Sequence, residues 1–281
     1  MTAATLWHTS LIKMRPFHRA VGEVGRWAVF IAETFWYLPV SVRRYSRQTL
    51  YTTINMAWGR GALIVDGGTV SVLLILGIAL GAVLAIEALS TLNIIGFGAL
   101  SGIIGGVGAV RVVGPLVGGI AFVAQAGTRM TAEIGAMRIA EEIDAVDAMG
   151  LRPIPFVVGT RLIGAMVCVV PGYLLTLVTT FFVLDTIITV FHSENPGTYQ
   201  HYLVQFMTPT DLMYSVIKVM VYCMAATVIH CYYGYFASGG PVGVGQASGR
   251  AVRASLVAIM VLDLTTTVVL WGLRPEYVFK G

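Results

Sequence analysis

Long apolar runs, separated by short polar segments, dominate this sequence. A helix that crosses a lipid bilayer needs about 20 mostly apolar residues. Five runs reach that length, at about 68–90, 101–127, 156–184, 212–237 and 253–273. The pattern predicts an all-α integral membrane protein with about five transmembrane helices, forming one membrane domain over about 61–281.

The second run is rich in glycine and contains Pro115. Its glycines include Gly102, Gly105, Gly106, Gly108, Gly114, Gly118 and Gly119. Such a segment is a poor helix in water, but in lipid small residues let neighbouring helices approach closely. We therefore expect an inner, closely packed helix.

Residues 1–60 interleave aromatic side chains with arginines and are too broken by charge to span a membrane. They also lack the compact apolar region and cleavage site of a signal peptide. Aromatic rings flanked by arginines are typical of an interfacial amphipathic helix. A helical arm packed on the membrane domain is the alternative.

Composition agrees with a membrane location, since 57% of the 281 residues are hydrophobic and only 11% are charged. Soluble domains carry about 25% charged residues. The net charge of +4 is not gathered into one basic stripe, so nucleic-acid binding is not predicted. Basic residues occupy residues 1–60 and the segments after the second and fourth runs, whereas 185–211 has none. This distribution predicts a cytoplasmic N-terminus.

One acidic segment interrupts the apolar pattern: MRIAEEIDAVDAMG, residues 137–150. At helical spacing, residues 131–149 place Ala132, Ala136, Ile139, Ile143 and Val146 on one face. The pattern predicts a short amphipathic helix on the cytoplasmic side, where its acidic face is poorly suited to anionic lipid. The residues alone favour equally a helix that docks on a protein partner and a helix whose charged face is simply solvated.

Paired carboxylates are a third interpretation of the same segment. Nothing nearby supplies the nucleophile, metal ligand or base that such chemistry needs, so we predict no catalytic residue and no metal site. GGPVGVG at residues 239–245 lacks the following Lys-Ser/Thr of a phosphate-binding loop. We interpret it as an inter-helix turn and expect any ATP hydrolysis to occur on a separate subunit.

Ionisable residues inside the runs are costly and often functional. Arg111, Lys218 and Asp263 are interior, and Glu87 lies near a membrane end. We expect Lys218 to pair with Asp263, and Arg111 to meet Glu87 or a lipid headgroup. Structural ion pairs that hold the helices together explain the same residues equally well. His230, followed by Cys231, Tyr232 and Tyr233, suits an interfacial belt.

The segment from Arg111 to Leu162 resembles the signature region of the MlaE/YrbE permease family. The shared pattern includes AEIGAMR, residues 132–138, and EEIDA, residues 141–145. HCYYGYFASGGPVGVGQASGRAV, residues 230–252, resembles the B-type subunit of mycobacterial-type YrbE pairs. Two positions depart from the family: Val112 replaces a frequent acid, and AQAGTR moves the basic residue of that turn to Arg129.

The resemblance implies a permease subunit of an ABC-type Mce lipid transporter in the plasma (inner) membrane. Its expected partners are a cytoplasmic MceG/Mkl-like ATPase, a second YrbE-type permease and Mce-domain proteins on the outer side. The ATPase would use ATP and Mg, and this chain would bind no cofactor. Import of lipids such as fatty acids or sterols is the direction that the resemblance favours.

In that setting the acidic helix corresponds to the coupling helix that docks on the ATPase. The residues expected in this role are Glu133, Met137, Arg138, Ile139, Glu141, Glu142, Ile143, Asp144 and Ala145. A lipid path at a dimer interface is expected along Leu74, Leu80, Leu84, Gly105 and Gly106. The rival interpretations are an ion- or proton-coupled secondary transporter and a non-transporting scaffold for Mce proteins.

Overall fold

The computed structural model describes residues 21–59, 68–94, 101–191 and 196–272. These residues are overwhelmingly helical, and no β-strand occurs among them. Five of their helices are long and apolar enough to cross a membrane. The predicted all-α membrane fold with five spans is confirmed.

We number the helices in chain order. Before the first span come α1 (residues 21–36), α2 (Leu38–Arg44) and α3 (Ser46–Trp58). The others are α4 (Thr69–Ile94), α5 (101–139), α6 (Glu142–Ala148), α7 (155–191), α8 (Pro196–Phe206), α9 (Pro209–Tyr235) and α10 (Gly240–Trp271). The spans are α4, α5, α7, α9 and α10.

Helix α5 runs without a break through two π-helical stretches, Ile104–Val113 and Val123–Gly127. Its last segment, Thr128–Ile139, continues the second span beyond the predicted end at about 127. The single amphipathic helix predicted over 131–149 is therefore wrong. Its first half belongs to the span, and its second half is the separate short helix α6.

The interpretation of GGPVGVG as a turn is also wrong, because α10 begins at Gly240. Only Gly239 and Gly240 have the positive φ values, +91° and +69°, that a tight turn uses. Pro241 then fits the first helical turn, where its missing N–H costs nothing. The fifth span therefore starts well before the predicted residue 253.

Close approach of α4 to α7 depends on two glycines. Thr180 Oγ1 donates to the Gly77 carbonyl at 3.0 Å, and Thr176 Oγ1 donates to the Leu73 carbonyl at 3.2 Å. A Cβ on Gly81 would lie 2.5 Å from the Thr180 carbonyl oxygen. Small residues on α4 thus allow contact between the backbones of the two spans.

The helix connections define two ends of the molecule. At one end, Thr69 Oγ1 bonds the Met56 carbonyl at 3.0 Å, and Ser41 Oγ bonds the Pro155 carbonyl at 2.8 Å. We call this end, which carries α2, α3 and α6, the α6 side. The other end carries α8 and the C-terminal end of α10 and is called the α8 side.

Basic residues are concentrated at the α6 side. Those at or near the α6 side are Arg26, Arg43, Arg44, Arg47, Arg129, Arg138, Arg152, Arg161, Arg250 and Arg253. Helix α8 and the link to α9 contain none. Under the positive-inside rule this supports the predicted orientation, which stays a prediction.

We predict that Gly81→Ala lowers the thermal unfolding temperature of the detergent-purified protein. The added methyl meets the Thr180 carbonyl and Val183 Cβ, and overpacking of this kind costs about 1–3 kcal/mol. The matched control is Gly249→Ala in α10, where no atom lies within 4 Å of the new methyl. The control should be neutral or slightly stabilising. Equal melting temperatures for the two variants would contradict the close α4–α7 contact.

Candidate functional site

A strained turn separates the second span from α6. The chain leaves α5 at Ile139, and Glu141 takes a left-handed conformation with φ 58°. Among the described residues it is the only non-glycine with positive φ. Such a conformation costs about 1–2 kcal/mol and is uncommon outside functional or tightly constrained positions. Its carbonyl accepts from Ala145 N at 2.9 Å, which starts α6.

An ion pair closes this turn. Arg138 Nη1 lies 2.6 Å from Asp144 Oδ1, so the last turn of α5 is tied to the first turn of α6. Both side chains are largely exposed, and exposed pairs contribute at most about 1 kcal/mol. The pair therefore sets the direction of α6 more than it stabilises the fold.

Two apolar residues seat α6 on the protein. Ile143 is 1% exposed and belongs to the main hydrophobic core, and Val146 is also buried. Ile139, expected on the same face, is instead 41% exposed. Ala132 and Ala136 are exposed as well, so the predicted apolar face is wrong for the α5 half.

The buried face of that half consists of Met130, Thr131, Ile134 and Gly135. Gly135 packs so closely that a Cβ there would lie 2.7 Å from Val244 of α10. The rotation of this segment is set by packing of the whole span against α9 and α10. Helical periodicity over residues 131–149 alone does not include this packing against α9 and α10, so it predicts the wrong buried face.

The predicted docking residues divide into two groups. Glu141, Glu142, Asp144 and Ala145 are exposed on or next to α6. Glu133 points elsewhere, toward Arg129 at 2.8 Å and Arg161 at 3.4 Å. Met137 is partly buried, and its sulfur lies 3.8 Å from Arg161 Nη2. The structure therefore brings only the α6 half of the set together as an outward acidic surface.

His230 lies behind this surface, fully buried between three spans. Its Nδ1 is 2.7 Å from Thr131 Oγ1 of α5, and its Nε2 is 3.3 Å from Ser255 Oγ of α10. The interfacial interpretation of His230 is therefore wrong. The signal available in the sequence was Gly127, since only a glycine leaves room for the His230 ring against α5.

A second polar group lies toward the α8 side. Lys218 Nζ is 2.8 Å from Asp263 Oδ1, which is the pairing expected from the sequence. It also donates to the Arg111 carbonyl at 2.9 Å, and Tyr222 OH donates to Asp263 at 2.7 Å. Lys218 has no exposed surface, so its charge is neutralised within the protein.

Of the two partners expected for Arg111, Glu87 is wrong, and a lipid headgroup stays a prediction. Its Nη2 lies 2.9 Å from Asp211 Oδ1 at the start of α9, and not beside Glu87. Trp271 Nε1 donates to the same carboxylate at 2.7 Å. Asp211 and Trp271 were missed by sequence reasoning. The available signal was Thr208 three residues before Asp211, a capping box that the structure contains.

The residues expected along a lipid path are mostly packed inside this chain. Leu80 and Leu84 belong to a buried cluster with residues of α5 and α7, and Leu74 is partly buried. Gly106 is buried, and a Cβ there would contact Leu203 and Met207. Gly105 lies in α5, but its surroundings are outside the described residues. Their role in a path stays a prediction.

No group of three His, Cys, Asp or Glu side chains comes together within the described ranges as a metal site would require. The three cysteines, Cys168, Cys223 and Cys231, are buried and unpaired. His192, in the segment after α7, lies outside the described residues. The geometry therefore offers two functional features, the exposed acidic α6 and the buried charges of α9.

Comparison with known proteins identifies relatives for most of the chain. Residues 59–269 match the profile of the family described as Permease MlaE. A probable ABC transporter permease protein of Rickettsia prowazekii is 29% identical over 169 residues, 56% of this chain and 61% of the relative.

Two further relatives carry names that mention lipids. The chloroplastic protein TRIGALACTOSYLDIACYLGLYCEROL 1 of Arabidopsis thaliana is 27% identical over 164 residues, 57% of this chain and 47% of that protein. The intermembrane phospholipid transport system permease protein MlaE of Haemophilus influenzae is 23% identical over 163 residues, 58% of this chain and 62% of the relative. The matched segment spans less than two thirds of the length of each relative.

We predict that Ile143→Ala loosens α6, because truncation of a fully buried isoleucine costs about 2–5 kcal/mol. Ile139→Ala is the matched control, since Ile139 is 41% exposed. Amide hydrogen exchange of residues 140–150 measures the effect. Ile143→Ala should speed exchange at least tenfold with little change in the spans. Equal exchange in the two variants would contradict the seating of α6 by Ile143.

We also predict that Asp263→Leu strongly destabilises the protein, because it leaves the buried Lys218 charge without its carboxylate. Removal of one partner of a buried pair costs about 3–5 kcal/mol. Lys218→Met combined with Asp263→Leu should recover most of the loss. Thermal unfolding in detergent gives the comparison, and a double variant no more stable than Asp263→Leu alone would refute a direct charge pair.

Proposed function

Since this chain belongs to the MlaE permease family, we propose that it is the membrane permease subunit of an ATP-driven lipid transporter. The single observation that carries the mechanism is the exposed acidic helix α6 between the second and third spans. An ATPase that docks on α6 can move the membrane domain only if α6 is firmly connected to a span. The Arg138–Asp144 pair and the buried Ile143 provide that connection.

The connection leads directly into the membrane. Helix α5 continues from the turn at Ala140 back through the second span without a break. A displacement of α6 would therefore be transmitted along α5 to the polar group at Arg111.

Lipid as the substrate class is supported by the names of two relatives, which refer to phospholipid transport and to a glycerolipid. Leu80, Leu84 and Gly106 are packed inside this chain. We propose that the lipid path lies between two permease subunits, where these packed residues would support its wall from behind. Fatty acids or sterols, moved inward, are the cargo and direction that the Mce-type resemblance favours.

An ATPase partner is what an ABC-type permease implies, and the other parts of the proposed complex rest on the Mce-type resemblance. A cytoplasmic ATPase would bind ATP and Mg and dock on α6, a second YrbE-type permease would complete the membrane unit, and Mce-domain proteins would bind on the outer side. The arginines of the α6 side support a cytoplasmic N-terminus in the inner membrane.

We predict that Glu142→Lys with Asp147→Lys abolishes recovery of an ATPase with the affinity-purified permease. Both carboxylates are exposed, and no ion pair in the described part of the chain uses either of them. Their reversal would oppose a basic docking surface without unfolding the chain. Mass spectrometry identifies the recovered subunit, and the rate of ATP hydrolysis by the purified material measures how much active ATPase was recovered.

Glu23→Lys is the control. It reverses the charge of an exposed residue away from α6, and its contact with Arg26 at 3.9 Å is exposed and contributes at most about 1 kcal/mol, so ATPase recovery should stay intact. Full recovery with the α6 variant would refute the docking assignment. Lipid transport that collapses with a protonophore but continues without ATP would instead establish the secondary transporter.

A further inference from the structure

A polar pocket of about 490 Å³ lies on the α6 side, between α3, α5 and α7. Small-molecule sites in proteins commonly have volumes of about 300–1,000 Å³. Four charged side chains line the pocket: Arg129, Arg161, Glu133 and Glu142. This pocket is separate from the polar group around Lys218, which lies toward the α8 side.

Arg161 is the most informative residue of this pocket, because its side chain is buried yet incompletely satisfied. It is only 8% exposed. Its Nη1 donates to the Val157 carbonyl at 2.9 Å, and its Nη2 reaches Glu133 Oε2 at 3.4 Å. Its buried Nε has no hydrogen-bond partner within the described part of the chain. Buried donors are nearly always paired, so Arg161 keeps a hydrogen-bond donor that an acceptor bound at this pocket would satisfy.

The second arginine is held so that it faces the same space. Arg129 Nε donates to Glu133 Oε1 at 2.8 Å, and its Nη1 donates to the Asn55 carbonyl of α3 at 3.3 Å. A guanidinium group has five N–H donors, so donors remain for a ligand. Glu133 lies between the two arginines and keeps both of them in place.

The pocket lies close to the α6-side ends of two spans. Arg161 is six residues from Pro155 at the start of α7, and Glu133 is six residues from Ile139 at the end of α5. At 1.5 Å per residue both lie about 9 Å inside the ends of their helices. Charged side chains this close to the end of a span lie near the polar layer of a membrane, which is about 5–8 Å thick on each side.

The outer surface of α3 favours a lipid over a soluble anion. Tyr51 lines the pocket and is 62% exposed, and Ile54 and Trp58 on the same helix are also largely exposed. These side chains offer an apolar surface for acyl chains next to a polar pocket. A soluble phosphate compound would gain nothing from them.

The charges distinguish between classes of lipid. Two arginines and two glutamates leave the pocket without net charge, and Glu142 stands apart from the Arg129–Glu133–Arg161 group, at the start of α6. We propose that the pocket binds the headgroup of a zwitterionic phospholipid, with its phosphate on Arg161 and Arg129 and its ammonium group toward Glu142. The bound lipid joins α3 to the second and third spans.

Native mass spectrometry of the full chain, with any subunits that accompany it, tests this site by titration with phosphatidylethanolamine and phosphatidylglycerol. Ala136→Phe fills the pocket from an exposed position that lines it, and Ala132→Phe is the matched control one turn earlier, outside it. Wild type and Ala132→Phe should bind phosphatidylethanolamine in preference to phosphatidylglycerol. Ala136→Phe and Arg161→Gln should each bind it about tenfold more weakly, as loss of access or of charge-assisted hydrogen bonds requires.

Equal affinity of Ala136→Phe and Ala132→Phe for phosphatidylethanolamine would overturn the site. Equal affinity of the wild type for the two lipids would overturn the zwitterionic assignment. Inorganic phosphate, added at millimolar concentration, should not displace the lipid. Full displacement would overturn the assignment of a lipid ligand and indicate that the pocket binds free phosphate. The ammonium contact shares Glu142 with the proposed docking surface, but the Ala136 and Arg161 variants leave α6 unchanged and the measurement needs neither ATP nor transport. Failure of the lipid site is therefore distinguishable from failure of the proposed function.

Discussion

Buried charge on α9 is the constraint on which the arrangement of the spans depends. A charged or polar group inside a bilayer must find its partners within the protein. Lys218 meets Asp263 of α10 and the Arg111 carbonyl of α5, and Asp211 meets Arg111 and Trp271. Together these contacts join α5, α9 and α10, so the polar groups specify which spans are neighbours.

The other end of α9 repeats this arrangement with neutral groups. His230 contacts Thr131 of α5 and Ser255 of α10. Helices α5, α9 and α10 are therefore tied together at both ends of α9, whereas α4 and α7 associate through glycines and threonines. In lipid, apolar side chains alone do not select a partner, because lipid tails solvate them equally well. Specific contacts of these two kinds provide the selection.

The same contacts hold in place the end of α5 to which α6 is attached. The end of α5 is held against α9 and α10 by His230 and by the close approach of Gly135 to Val244. The exposed α6 is thus attached to a helix that is held against two neighbouring spans. On the opposite face of the same α5 segment, Arg129 and Glu133 form the wall of the headgroup pocket. A bound lipid and a docked partner would therefore act on one short stretch of helix.

The sequence by itself determined the five spans and the Lys218–Asp263 pair, but not the end of the second span or the start of the fifth. Bilayer thickness imposes a length on each span, and charges in an apolar run have few partners to choose from. The family motif likewise marked residues 132–145. Only the tertiary structure decided the break at Ala140 and Glu141, the early start of α10, the exposure of Ile139 and the pairing of Arg111 with Asp211. The exposure of Ile139 and the pairing of Arg111 depend on how one helix is rotated against another, and rotation is set by contacts between residues far apart in the chain. The headgroup pocket has the same origin, since α3, α5 and α7 contribute residues from 48 to 161.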